Sequence, residues 1–213
     1  MAHDDWLLWQ LADSAFPTGG FAHSGGLEAA WQNGEVRNAA ELTSFLQASL
    51  GQLAHGALPL VNAAHHAPEE TPELDRLCDA FLTNHVANRA SRIQGQSLLI
   101  VAEKAFGLAR PLLPFAHLAP VFGGVTRKLE LTSAGAAHLF LFQNLRGLVA
   151  AAIRLGIVGP MEAQALQHGL GSCAREAANL CESLPLADLS QTAPLLDLWQ
   201  ASHDRLYSRL FQS

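Results

Sequence analysis

Apolar residues recur at three- and four-residue spacing along most of the chain, and the strict alternation of a half-buried strand is absent. Trp6, Leu7, Leu8, Leu11 and Ala12 predict a first helix, closed near Asp13-Ser14 by the approaching Pro17. Leu27 to Asn33 reads as a short helix, with Gly34 placed to end it in the left-handed region. Asn38 offers an N-cap with Glu41 three residues later, and Leu42, Phe45, Leu46, Leu50, Leu53 and Ala57 then mark one buried face. Pro59 is expected to kink or end that helix, with a second segment running to about His66.

Thr71-Pro72-Glu73 combines a capping hydroxyl, a proline for the first turn and an acid near the positive end of the dipole. Leu74, Leu77, Cys78, Phe81 and Val86 mark the buried side of the helix that follows. Another helix is expected from about Asn88 to Leu108, and then an irregular connection through Pro111, Pro114, Phe115, His117, Pro120 and Phe122. Ser133 to Leu155 is long and apolar on more than one stripe, so it is placed at the centre of the fold. Gly159-Pro160-Met161-Glu162 opens a helix to about Glu182, Pro185 to Pro194 is a connector, and Leu195 to nearly Ser213 is a final helix. The expectation is one all-α domain over residues 1–213, a bundle of roughly eight to ten helices.

Composition narrows the function. Half of the residues are hydrophobic but only 7% are aromatic, so alanine and leucine supply most of the apolar surface. Charged residues are 15%, below the ~25% of ordinary domains, which points to surface covered by protein and hence to self-association. A net charge of −6, two lysines and no basic run argue against nucleic acid. The apolar stretch from Ala134 to Val158 carries His138, Gln143, Asn144, Arg146 and Arg154, a poor membrane span and a good core helix. Three widely spaced cysteines and no basic-then-apolar leader suit a reducing cytoplasm.

One segment breaks the helical pattern: Asp13-Ser-Ala-Phe-Pro-Thr-Gly-Gly-Phe-Ala-His-Ser-Gly-Gly-Leu-Glu28. Two glycine pairs and Pro17 shape the backbone, and Gly19 and Gly20 are expected to occupy space that a Cβ would block. Phe16 and Phe21 are expected to be anchored in apolar surroundings. The segment lacks the Gly-Lys-Ser/Thr ending of a phosphate loop. Asp13, Ser14, His23, Ser24 and Glu28 lack the strand-turn-helix elbow of a hydrolytic set. The ten histidines show neither the paired helical spacing of a zinc protease nor structural-zinc clustering, and most read as surface or satisfied core residues. Arg205 and Arg209, four apart in the expected last helix, are either a solvated basic edge or forks for carboxylates on another protein.

Residues Pro17, Gly19, Gly20, Phe21, His23, Ser24, Gly26, Leu27 and Glu28 resemble the signature of the UreF family of urease accessory proteins. His117 to Gly123 resembles that family's short apolar segment ending in Phe-Gly. The closing run from His203 to Ser213 is similar to its Ser-Arg-Leu-Phe-x-Ser ending. One departure is His23, where many relatives carry Tyr. The resemblance implies an all-helical, usually dimeric, non-enzymatic factor that works with UreD (also called UreH) and the GTPase UreG. Together they deliver nickel to apo-urease, whose active-site lysine is also carbamylated. Nickel and GTP then belong to the partners, with no cofactor bound directly. The expected partner-binding residues are the loop set Pro17, Gly19, Gly20, Phe21, His23, Ser24 and Glu28, with Arg205, Leu206, Arg209, Leu210, Phe211 and Ser213 in a C-terminal segment of about 195–213. Its last nine residues, Arg205 to Ser213, are expected to become ordered on a partner. The competing readings are a helical scaffold and a small-molecule enzyme, both unrelated to urease.

Overall fold

Side-chain caps set where several of the helices begin. The computed structural model describes residues 5–182 and 184–213. The first two helices are α1 (Asp5–Ala12) and α2 (Leu27–Gln32), with Gly34 left-handed at φ 77° after the second. Asn38 accepts from the amides of Ala40 and Glu41 at the start of α3 (Ala39–His55). Glu41 returns the contact to the amide of Arg37, one residue outside a standard capping box. The break before α4 (Ala57–His66) falls at Gly56, while Pro59 sits inside the first turn of α4, where its missing N–H is harmless.

Thr71 opens α5 (Thr71–Phe81) as its first helical residue, and its hydroxyl donates to Pro68 O, so it is not the capping acceptor expected of it. That helix ends at Phe81. Val86 belongs instead to α6 (His85–Phe106), which Asn84 caps by accepting from Val86 N and Ala87 N.

The segment expected to be irregular through Pro120 and Phe122 contains a helix, α7 (Leu118–Lys128), buried without interruption from Ala119 to Thr126. Pro120 lies in its first turn, which a proline tolerates. Gly123 makes the burial possible: a Cβ there would lie 2.1 Å from Val61 O, so the backbones of α4 and α7 pack almost directly against each other.

The central helix is α8 (Ser133–Arg154), begun by Thr132, whose hydroxyl accepts from Gly135 N. It packs against α1, α2, α3, α4 and α7, and against α9 (Pro160–Gly169) and α10 (Gly171–Glu182). The expected single helix from Pro160 to Glu182 divides at Leu170, between two glycines. Among the described residues α8 is the one helix long and apolar enough to cross a membrane, and half of its apolar window is buried inside the fold. Its exposed residues, Ala134, His138, Phe142, Ala150 and Arg154, fall on a single stripe of four-residue spacing.

The last helix is shorter than expected. α11 (Pro194–Ser202) gives way to one 3-10 turn at His203–Arg205, and the chain then runs to Ser213 outside any helix. Nine of the eleven α-helices run nine residues or more, and no strand occurs among the described residues, so the fold is an all-α single-domain bundle.

Candidate partner-binding site

The glycine-rich loop and the C-terminal tail, far apart in sequence, are tied together by one buried carboxylate. Glu28, in the first turn of α2, is 1% exposed. Its Oε1 accepts Leu210 N at 2.6 Å, and its Oε2 accepts Phe211 N at 3.2 Å and His203 Nε2 at 3.0 Å. A carboxylate taken out of water needs such a set of donors, and here all three come from the tail. His203 is itself fully buried.

Ser24 and Ser213 make the second tie. Ser24 N and Ser24 Oγ both donate to Ser213 O, at 2.5 and 2.9 Å, while Gln212 N donates to Ala22 O at 2.7 Å. The side chains of His23 and Ser213 meet at 2.6 Å between Nδ1 and Oγ. Burial, and then the neighbouring His203 and Arg89, hold the His23 pKa below its ordinary value.

Arg154, exposed at the end of α8, closes the knot from outside. One guanidinium nitrogen donates to Phe21 O at 2.7 Å, another to Leu210 O at 3.4 Å, and the group lies 4.2 Å from the Phe211 ring centre. Gln32 Nε2 reaches Ser208 O from α2. Asp204 holds a second exposed cluster, accepting both arms of Arg89 at 2.8 and 3.0 Å and Arg209 at 3.3 Å.

Several expectations change here. Arg205 and Arg209 do not share a helix face, because the helix has ended, and Arg209 has an acid within reach in Asp204. The tail is docked on its own chain through Glu28 and Ser24, so its order does not wait for a partner. Ser24, Glu28, Phe211 and Ser213 are buried and hold the knot from within. Pro17, Phe21, Arg205, Arg209 and Leu210 are exposed, while Gly19, Gly20, His23 and Leu206 lie half-buried. Phe16 is anchored as expected, stacked at 6.3 Å on Phe106, but Phe21 is 72% exposed.

Nothing lies within 4 Å of a Cβ at Gly19, and at Gly20 it would meet Gln94 Oε1 at 3.4 Å and Thr18 Oγ1 at 3.8 Å, both ordinary contacts. The close approach is at Gly26, left-handed at φ 89°, where a Cβ would sit 3.0 Å from Gln200 N of α11. The five loop residues weighed as a hydrolytic set do not assemble, since His23, Ser24 and Glu28 are each committed to the tail. Sequence reasoning missed Arg154, Arg89 and Asp204. The signal for Arg154 was a charge closing an apolar helix.

A cavity of about 440 Å³ lies beneath the loop, with Phe16, Gly20 and His23 on one side and α3, α6, α8 and α11 on the other. Among the described residues no group of three or more His, Cys, Asp or Glu is placed to hold a metal ion.

Comparison with known proteins places this arrangement. The sequence model of the family described as UreF matches residues 36–171, the helical body between loop and tail. Urease accessory protein F of Oryza sativa subsp. indica is 37% identical over 223 residues, covering 98% of this chain and 85% of the relative. The Arabidopsis thaliana protein of the same name is 38% identical, over 98% of this chain and 92% of its own. Urease accessory protein UreF of Mycobacterium tuberculosis is 33% identical, over 97% and 98%. On the family match and on relatives that run almost end to end with it, loop and tail included, this chain belongs to the UreF family of urease accessory proteins.

Proposed function

We propose that this chain matures urease through protein contacts, bridging UreD/UreH and the GTPase UreG and setting when GTP hydrolysis releases nickel to apo-urease. Nickel is cargo in this reading and GTP is the partner's nucleotide, and neither step of that delivery is assigned to a catalytic group here. The chain works in the cytoplasm as a homodimer, without nucleic acid or membrane as a partner.

The observation that carries the reading is the loop–tail knot. Its buried half, Glu28, Ser24, His203 and Ser213, fixes the backbone. Its outer half then holds Phe21, Tyr207 and Leu210 at 72%, 104% and 59% exposure, beside Arg205 and Arg209. Aromatic and aliphatic side chains on a rigid support, rimmed by arginine, are the composition of a protein-binding hot spot. Relatives 37% and 38% identical over nearly the whole chain, named as urease accessory proteins, supply the biological setting.

The test is co-expression of a tagged chain with UreD/UreH, UreG and apo-urease, followed by capture and a urease assay in nickel-containing medium. All three partners are expected in the captured complex, and omission of this chain is expected to leave urease inactive. Active urease formed equally well without it would overturn the proposal.

A further inference from the structure

Three polar side chains, on α5, on α6 and at the N-cap of α7, form a chain of hydrogen bonds that reaches the cavity at Ser91. Ser91 of α6 meets His117 through Oγ and Nδ1 at 3.1 Å, and His117 Nε2 meets Asp79 of α5 at 3.1 Å. Asp79 Oδ1 also accepts Asn88 Nδ2 at 2.9 Å, which fixes its position. A carboxylate only accepts, so His117 carries its proton on Nε2 and leaves Nδ1 to accept the Ser91 hydroxyl proton. This is the order of roles of a nucleophile, its base and the base's orienter.

The backbone is built to hold His117 there. Gly95 lies one helical turn beyond Ser91 on the same face, and a Cβ on it would stand 2.0 Å from Ala116 O. Ala116 is left-handed at φ 62°, a conformation costly for alanine. Buried Asp75 stabilises it by accepting the amides of Phe115, Ala116 and His117 at 2.8, 2.9 and 2.7 Å.

Ser91 lines the cavity of about 440 Å³, a size suited to a small organic molecule. Beside it the wall is apolar, with Phe81, Ala87, Ala90, Leu118 and Ala119. Leu118 N donates to Ser91 Oγ at 3.1 Å, and Ala119 N lies in the first turn of α7, where amides lack intrahelical acceptors.

We propose that Ser91, His117 and Asp79 form an acyl-transfer site that opens on this cavity and hydrolyses small esters of apolar carboxylic acids. The proposal is independent of the role in urease maturation. Ser91 Oγ bonds to the ester carbonyl carbon as its proton passes to His117 Nδ1. The carbon–alkoxy bond breaks and the alcohol leaves with that proton. Water then attacks the acyl-serine, its proton passing through Nδ1 back to Ser91 Oγ, and the carboxylic acid is released. Asp79 is a positioning residue that holds the tautomer. Burial keeps the His117 pKa below its ordinary value, so the base stands neutral near pH 7.

The experiment treats the full-length protein with a fluorophosphonate carrying a short alkyl chain and maps the adduct by peptide mass spectrometry. A single adduct on Ser91 is expected, with hydrolysis of p-nitrophenyl butyrate lost on the same time course. His117→Gln is expected to slow labelling about a hundredfold or more, the usual share of a general base. Asp79→Asn is expected to slow it less and to shift its pH profile, which a purely structural role would not do. Mapping the adduct on the unaltered protein requires no variant to fold. Absence of an adduct, or one on any other serine, overturns the proposal.

Discussion

Glu28 accepts hydrogen bonds from three donors on the tail, and its removal leaves all three without that acceptor, with His203 Nε2 and Phe211 N buried. Each unmet buried donor costs about 1–3 kcal/mol, so Glu28→Ala is expected to lose on the order of 3 kcal/mol or more in urea unfolding. Glu28→Gln keeps the shape and one acceptor and is expected to lose roughly half as much. A loss within error of zero for Glu28→Ala would show that the tail is not docked. The histidines add a pH dependence. His23, His65 and His117 each have pKa values held below 6.5 by burial. A histidine depressed in the folded state binds its proton more readily when unfolded. The stability it contributes is therefore whole above pH 6.5 and falls as the pH drops below that value. Melting temperature is expected to be level on the alkaline side of 6.5 and to decline on the acid side, less steeply in His23→Gln.

At the scale of elements, the helices that the sequence made legible were those with a cap and one apolar face, such as α3 behind Asn38, or with a long apolar run, such as α8. The buried helix α7 was hidden by the features that suit it to its place. Pro120 and Gly123-Gly124 read locally as breakers, yet the proline falls in the first turn and Gly123 lets α4 approach. Loop and tail were each legible as unusual segments, but their pairing was not, because no local pattern links Glu28 to a backbone 182 residues away. The same geometry ranks the glycines. Gly95→Ala and Gly123→Ala force backbones apart and are expected to cost about 2–3 kcal/mol or more, as overpacked cores do. Gly19→Ala meets open space and is expected to cost only about 1 kcal/mol, for its left-handed backbone. Equal losses at Gly19 and Gly95 would contradict the packing described. Deleting residues 206–213 uncovers Glu28, Ser24 and His203 and is expected to lower the melting temperature by several degrees, about 2–4 °C per kcal/mol lost.

For the whole molecule, low charge and exposed Trp6, Trp9, Leu112 and Met161 motivate the proposed dimer. Light scattering at micromolar concentration is expected to give twice the chain mass of 22.8 kDa, and a monomer at high concentration would count against it. The central claim is that a buried knot presents Phe21 and Leu210 to partner proteins. The most direct measurement is the affinity of the Phe21→Asp, Leu210→Asp double variant for UreD/UreH and UreG, by calorimetry, with its melting temperature taken alongside. Both side chains are exposed, so stability is expected to stay within about 0.5 kcal/mol of the unaltered protein. Loss of two interface anchors is expected to weaken capture of at least one partner by about thirtyfold or more. Unchanged affinity for both partners, with the fold intact, would contradict the account.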